Sequence, residues 1–239
     1  MRSRRQFCRL TLTVLLVAVA ERALTHAQTA PPNQIWLPIV TGGSVPDDLP
    51  ILGPASGTAQ QAIAWLAPRA VGYTPYDVAA IVDAYARTGT DGAVDWFLAL
   101  AQMAHETGSL TSWWAQRPRR NPAGIGVTGR VQPGTPDAPP GEGWTWDGGQ
   151  WREGWSFPTW ANDAIPAHIG RLLAYALRDD QADAAQQALI ARALAYRALP
   201  ASYRGAATTI RGLNGRWAVP GSTYGQQIIA LAWQMRRGV

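Results

Sequence analysis

The stretch from Val94 to Gly108, V-D-W-F-L-A-L-A-Q-M-A-H-E-T-G, is nearly all apolar until it reaches an acid that is closely followed by a glycine. A helix that is apolar on every side is usually buried at the centre of its domain. We therefore predict a central helix from about Asp91 to Glu106. Glycine readily ends a helix because it adopts the left-handed conformation without strain, so Gly108 places Glu106 at the C-terminal end of this helix.

Helical spacing of apolar residues also dominates the segments on both sides, which predicts a mainly α-helical domain. The best-marked helix start is Thr74-Pro75-Tyr76-Asp77, where Thr74 can cap the helix and Asp77 can complete a capping box. The predicted helices cover about 58–67, 74–89, 91–106, 162–177, 181–198, 202–211 and 224–235.

Residues 107–160 interrupt the helical pattern with prolines, glycines and seven tryptophans. A loop of this length is uncommon in a compact domain unless it is functional. Short strands are expected around Gly143 to Arg152, where tryptophans flank a turn at Asp147-Gly148-Gly149. The helical domain is therefore predicted to carry a long Trp-rich loop or a small β insertion.

Residues 1–27 have the parts of an export signal: an arginine-rich start, an apolar run from Leu10 to Ala20 and small residues near Ala27. The run is too short to span a bilayer, so we expect a cleaved signal and a secreted or cell-envelope protein; an uncleaved tether is the alternative. The general secretory and twin-arginine routes both fit, since Ser3-Arg4-Arg5-Gln6-Phe7 resembles the twin-arginine motif. Residues 28–55 read as a linker or extended arm, and 56–239 as one domain.

The charge balance gives no case for nucleic-acid binding. The chain carries +5, but five arginines and one glutamate within residues 1–27 supply +4 of it and leave +1. The only cysteine, Cys8, lies in the predicted signal, and only His105 and His168 remain as histidines beyond it. We therefore predict no metal site and no cofactor. We also expect a monomer, with no stable membrane span after signal cleavage.

Glu106 is an unusual residue for its position. A carboxylate at a helix C-terminus opposes the helix dipole, and apolar surroundings further disfavour the charged form. Cleavage of a glycosidic bond requires an acid of this kind, one that stays protonated near neutral pH. On local physics alone, a solvent-exposed glutamate on a frayed last turn is the alternative.

The tryptophans favour a glycan as the ligand. Sugars present flat C–H faces that pack on indole rings, while their hydroxyl groups take hydrogen bonds at the edges. The candidates for sugar contact are Trp113, Trp114 and the tryptophans within residues 144–160, of which Trp160 ranks first. For each of them, packing of a lid on the domain is the alternative.

Four segments in sequence order resemble one protein family. Ala101 to Ser112 resembles the motif A-Q-x-A-x-E-T-G-x-x-x-S, and Asn121 to Gly126 resembles N-x-x-G-I. Residues 157–165 resemble F-x-x-Y/W … S-I, and residues 215–228 resemble Y-A-T-D … Y-A-x-K-I. These are motifs of the bacterial endo-β-N-acetylglucosaminidases, the flagellar-type glucosaminidases with a lysozyme-like helical fold. The resemblance covers roughly residues 90–235.

This resemblance implies that Glu106 is the general acid. It also implies that Asn121 and Gly124, together with Trp217 and Tyr224, border the sugar next to the scissile bond. Two positions depart from the family pattern, since Trp217 stands in place of a tyrosine and Pro220 in place of an aspartate. Trp217 can stack on a sugar, but it has no hydroxyl group with which to orient substrate or water.

No motif marks a second catalytic carboxylate. Asp137, Glu142, Asp147 and Glu153 all lie in the insertion, and we rank Glu153 and Asp147 first because tryptophans flank them near the end of the loop. An inverting reaction places its two carboxyl groups roughly 6.5–9.5 Å apart and a retaining one about 5 Å apart. Attack by the substrate's own N-acetyl group needs no protein nucleophile.

The sequence thus predicts an exported, lysozyme-like hydrolase that cleaves β-1,4 bonds beside N-acetylglucosamine in peptidoglycan or a related glycan. A lytic transglycosylase that acts on the same polymer is one alternative. A cell-wall glycan-binding module without turnover is the other.

Overall fold

The computed structural model describes residues 44–238, so the predicted export signal and residues 28–43 of the predicted linker lie outside it. Six α-helices are present in this range: α1 (Ala59–Leu66), α2 (Pro75–Asp91), α3 (Trp96–Thr107), α4 (Ile165–Ala176), α5 (Ala184–Tyr196) and α6 (Tyr224–Arg237). Three short strands, β1 (Val131–Pro133), β2 (Trp144–Trp146) and β3 (Gln150–Glu153), lie between α3 and α4 in the chain. The prediction of a mainly α domain with a small β insertion is confirmed.

Helix α3 forms the centre of the fold. Asp95 caps it, because its carboxylate accepts hydrogen bonds from the backbone N–H groups of Phe97 and Leu98 at 3.0 and 3.2 Å, and this cap makes the helix begin later than predicted. Every residue from Trp96 to Ala104 is buried, and α1, α2, α4 and α6 all contact this helix. Gly108 ends it in the left-handed conformation with φ 57°. The predicted buried helix that ends beside Glu106 is confirmed.

The remaining helices follow their predicted positions with one exception. Thr74 and Asp77 form the expected capping box at the start of α2, and a π-helical turn precedes α4. The predicted helix over 202–211 is replaced by two 3-10 turns at Ala201–Tyr203 and Arg211–Leu213. The chain between them bonds instead to the end of α4, since the N–H of Ala207 donates to the carbonyl of Tyr175 at 2.9 Å.

Within residues 44–238, no helix has the length and apolar character that crossing a bilayer requires.

Residues 44–55 belong to the folded unit, although the sequence predicts a linker as far as residue 55. Ile51 is 1% exposed. Its backbone N–H donates to the carbonyl of Thr208 at 2.9 Å, and its carbonyl accepts from the N–H of Asp95 at 2.9 Å. The fold therefore begins before Ser56, and this segment helps to fix the residue that caps α3.

The insertion contains an antiparallel sheet in the order β1-β3-β2. Strands β2 and β3 pair across the turn that was expected at Asp147 to Gly149, whereas β1 was not predicted. The chain that leaves β3 is tied to the helical domain, because the N–H of Trp155 donates to the carbonyl of Ile125 and its indole N–H donates to the carbonyl of Tyr196. Because the sheet is small, these contacts at its base hold it against the domain.

Candidate active site

Two neutral donors hold the carboxyl group of Glu106. The indole Nε1–H of Trp217 donates to Glu106 Oε1 at 3.0 Å, and the hydroxyl group of Tyr224 donates to the same oxygen. Among the described residues, no side chain or backbone group donates to Oε2. One oxygen of the acid thus accepts two hydrogen bonds, and the other accepts none from the described residues.

These three residues come from elements that pack together. Glu106 lies in the last turn of α3, Tyr224 is the first residue of α6, and α3 contacts α6. Trp217 lies in the loop before α6. Asn214 closes this loop, because its side chain donates to the carbonyl of Ser222 and accepts from the N–H of Gly225, both at 2.7 Å. These hydrogen bonds therefore fix the loop that carries Trp217.

The indole ring of Trp217 is held by residues of α4. Its ring centroid lies 5.7 Å from that of His168 and 5.5 Å from that of Tyr175, and the guanidinium group of Arg171 lies 5.8 Å from the ring. Sequence reasoning gave Trp217 only a stacking role. In the structure its N–H reaches the acid instead, so the absence of a hydroxyl group here does not remove a hydrogen-bond donor.

Burial raises the pKa of Glu106 above its usual range. The hydrogen bond from Tyr224, the nearby His105 and the hydrogen bond from Trp217 lower it, in decreasing order, without cancelling the effect of burial. Desolvation disfavours the charged form of a carboxyl group. Glu106 therefore combines two properties that suit a proton donor, a raised pKa and an oxygen that accepts no hydrogen bond from the described residues.

A cavity of about 360 Å³ opens beside this acid. This volume lies within the usual range for a small-ligand site of roughly 300–1,000 Å³. Glu106 is the only carboxylate in its lining, which consists of His105, Glu106, Ala218, Gly221, Thr223, Tyr224 and Gln227.

The loop Asn121–Gly126 lies beside Glu106. Gly124 has a φ of +60°, and a Cβ placed on it would lie 3.9 Å from Glu106 Oε2. Asn121 has a different role from the predicted substrate contact. It is fully buried, and its amide bonds to the backbone of Ala123, Ile125 and Trp155. Asn121 therefore builds the loop that brings Gly124 to the acid.

The predicted sugar-binding tryptophans differ in their surroundings. Trp160 is 8% exposed, and its indole N–H donates to the hydroxyl group of Tyr73 at 3.1 Å, so it is a core residue. Trp113 is half-buried, packs edge to face on Trp114, and lies 3.8 and 5.5 Å from the guanidinium groups of Arg119 and Arg152. The prediction of direct sugar contact by Trp160 is not supported by this packing. Trp113 and Trp114 keep partly accessible rings.

The two candidate second carboxylates have unlike partners. Asp147 accepts from the N–H groups of Gly149 and Gln150 at 3.0 and 2.9 Å and pairs with Arg152 at 2.5 Å. Desolvation raises its pKa, but these hydrogen bonds outweigh that effect and lower the pKa to about 2. These contacts give Asp147 a structural role in the hairpin turn.

The partners of Glu153 lie outside the hairpin turn. It bonds to the hydroxyl group of Thr128 and lies 3.4 Å from Arg130. It is two residues before Trp155, which bonds to Ile125 in the loop beside Glu106. Glu153 thus lies on the strand that leads back towards the acid.

Sequence reasoning missed the roles of Gln102 and His168. Both are fully buried and bond to each other, with Gln102 Oε1 3.0 Å from His168 Nε2. A signal was present, because a glutamine inside an apolar helix must find partners when it is buried. The sequence does not show which residues those partners are.

Among residues 44–238, no group of three or more His, Cys, Asp or Glu side chains is arranged to hold a metal ion. No protein-family model, curated protein or solved structure matches the chain. The chemistry of the site therefore carries the functional argument.

Proposed function

We propose that this protein is an exported glycoside hydrolase with a lysozyme-like fold that cleaves β-1,4 bonds at N-acetylglucosamine in peptidoglycan. Glu106 acts as the general acid and gives its proton to the oxygen of the leaving sugar. The motif resemblance supplies the substrate class. The geometry around Glu106 supplies the chemical role.

The observation that carries this proposal is the placing of both donors on Glu106 Oε1. When Glu106 is neutral, one of its oxygens is a carbonyl oxygen and the other carries the proton. The oxygen that accepts two hydrogen bonds is favoured as the carbonyl oxygen, so the proton resides on Oε2. Oε2 is the oxygen beside Gly124, and it accepts no hydrogen bond from the described residues. The acid is thus oriented to release its proton to a bound ligand.

Water attack requires a second group or help from the substrate. Glu153 is our candidate for the base, because the hairpin turn and Arg152 already occupy the carboxylate of Asp147. A glycan chain that lies along the insertion would contact Trp113 and Trp114, which keep partly accessible rings.

The test is release of reducing ends from purified peptidoglycan. Loss of a positioned general acid costs typically 10²–10⁴-fold in rate, and we expect roughly that loss for Glu106→Gln with an unchanged fold. Asp83→Asn is the matched control, since it makes the same carboxylate-to-amide change on an exposed residue of α2 and should retain full activity. An active Glu106→Gln protein contradicts the proposal, and binding without cleavage by the wild type indicates a glycan-binding module.

A lytic transglycosylase is the second candidate, and one observation favours it. Glu106 is the only carboxylate in the lining of the cavity, and a single acid that later acts as base is sufficient to form an anhydro product without water. Mass spectrometry of the digested fragments distinguishes the two reactions, because the hydrolytic product is heavier by one water.

A further inference from the structure

A line of polar side chains crosses the interior from Glu106 to α2. The hydroxyl group of Tyr224 donates to Glu106 Oε1, and Gln102 Nε2 lies 2.7 Å from the hydroxyl oxygen of Tyr224. Gln102 Oε1 lies 3.0 Å from His168 Nε2, and His168 Nδ1 lies 2.8 Å from the hydroxyl group of Tyr85. Tyr224, Gln102, His168 and Tyr85 are all buried.

The donor and acceptor groups of these side chains require all hydrogen bonds in the line to run in the same direction. Gln102 uses its NH₂ group towards Tyr224, so its carbonyl oxygen accepts, and His168 must carry its proton on Nε2. Burial, together with the charge of Arg171, lowers the pKa of His168 to about 3, so the ring is neutral and its Nδ1 accepts from Tyr85. Each donor in the line thus points towards Glu106.

This direction determines where the hydroxyl proton of Tyr224 points. Its oxygen receives the hydrogen bond from Gln102, so its own proton is directed to Glu106 Oε1. Without Gln102, the same oxygen is free to accept a hydrogen bond from a neutral Glu106. The acid would then hold its proton on Oε1, on the side away from a ligand at Oε2.

His168 also contacts the second donor. Its ring packs at 60° against the indole of Trp217, with the centroids 5.7 Å apart, and the Nε1–H of that indole donates to Glu106 at 3.0 Å. Both groups that hold Oε1 are therefore supported by His168, one through Gln102 and the other through ring packing.

We propose that Gln102 and His168 are positioning residues that keep Oε1 of Glu106 an acceptor and so direct the acid's proton to Oε2. Neither residue is placed to touch the substrate, and both act through Tyr224 and Trp217. This role rests on the proposed function, since it concerns the orientation of the proposed acid. Buried networks in which every member is satisfied can fix a functional group more tightly than single contacts.

Few titratable groups bear on this arrangement. His105 on α3 and Tyr224 on α6 face Glu106, whereas the sequence of the 121–126 loop contains no titratable side chain. Arg171 and Tyr175 on α4 approach Trp217, and Arg171 also acts on His168. A change in the pH profile after substitution of the neutral Gln102 therefore reports on Glu106 through Tyr224.

The test compares His168→Met with His168→Gln, and adds Gln102→Met. Methionine fills similar volume without a donor, while glutamine retains an N–H for the carbonyl of Gln102. We expect both methionine variants to lower kcat roughly 10-fold, less than the 10²–10³-fold typical for loss of a direct donor, with KM nearly unchanged. The basic limb of the pH-rate profile should move to higher pH, because a weaker donor at Tyr224 stabilises the charged acid less. His168→Gln should recover most of kcat.

The pKa of Glu106, followed by carbon NMR of its carboxyl group, provides a readout that does not require turnover. We expect it to rise in Gln102→Met relative to the wild type. If the wild type fails to cleave any glycan, the proposed function fails, and this titration still decides the positioning role. An unchanged Glu106 pKa and pH profile in folded Gln102→Met overturns the proposal, as does a His168→Gln variant no better than His168→Met. If His168→Met does not fold, Gln102→Met decides alone.

Discussion

The cleft at the end of α3 and the hairpin of the insertion each hold a carboxylate, but they shift its pKa in opposite directions. In the cleft, burial raises the pKa of Glu106, and its hydrogen-bond donors are the neutral groups of Trp217 and Tyr224. In the hairpin, Asp147 receives two backbone N–H groups and the cation Arg152, and its pKa is lowered to about 2. The cleft favours retention of a proton, and the hairpin favours a permanent charge.

The difference shows that the partners of a carboxylate indicate its role better than its place in the sequence does. Tryptophans flank Asp147, and this made it a candidate for catalysis. Its contacts are those of a turn residue. Glu153, on the same hairpin, contacts Thr128 and Arg130 and takes no part in the turn.

After Glu106→Gln, Glu153→Gln is expected to have the largest effect on activity of the substitutions that test this comparison. If Glu153 activates water, we expect hydrolysis to fall roughly 100-fold, at the lower end of the usual contribution of a general base. Initial rates of reducing-end release measure this. Retention of the wild-type rate shows that the substrate supplies the second group. An anhydro product has no reducing end, so a wild type that degrades the polymer without releasing reducing ends is a transglycosylase, and mass spectrometry of the fragments confirms this.

Tyr224→Phe removes one of the two donors to Glu106 and is expected to lower kcat roughly 10- to 100-fold. This is below the 10²–10³-fold typical for loss of a direct donor, because Trp217 still donates to Oε1. Because the hydrogen bond from Tyr224 lowers the pKa of Glu106, its removal should move the basic limb of the pH-rate profile to higher pH. Tyr76→Phe is the control, since Tyr76 is 88% exposed. A wild-type pH profile in Tyr224→Phe argues against the role given to this donor.

Asp147→Asn should affect stability more than catalysis. We expect kcat within about twofold of the wild type, since Asp147 is proposed only to hold the turn, and a fall in Tm of less than about 4 °C. The lowered pKa means that this carboxylate contributes stability above its unfolded-state pKa of about 4, and that the contribution is lost as the pH falls through about 2. Thermal unfolding of both proteins between pH 2 and 7 measures the difference. A large loss of kcat would return Asp147 to the list of catalytic candidates.

Glu106→Gln should also change stability, but with the opposite sign to Asp147→Asn. The pKa of Glu106 is raised in the folded state, so its contribution to stability is fully present below the unfolded-state pKa and is lost as the pH rises through the folded-state value. A neutral glutamine avoids this loss, so Tm should rise by about 2–4 °C near pH 8 and match the wild type at low pH. A fall in Tm at pH 8 argues that the site is built for a charged carboxylate.

The sequence predicts the features that depend on local patterns. The apolar run that ends at Gly108 predicts the buried helix and the position of Glu106, and the alternation around Asp147 predicts the hairpin. Long-range partners lie beyond such patterns, since the contact from Trp217 to Glu106 and the line from Gln102 to Tyr85 join segments far apart in the chain. The docking of Ile51 was missed for the same reason, because the residues around it show no sustained helical or strand periodicity.

The measurement that tests the central claim most directly is a carboxyl titration by carbon NMR of protein labelled at Glu and Asp. The chain contains only four glutamates, and the resonance of Glu106 is assigned by its absence from Glu106→Gln. We predict that Glu106 titrates above 4.5 while Asp147 titrates near 2. A Glu106 that titrates at or below 4.5 contradicts the account, because the cleft would then hold a charged carboxylate and not a proton donor.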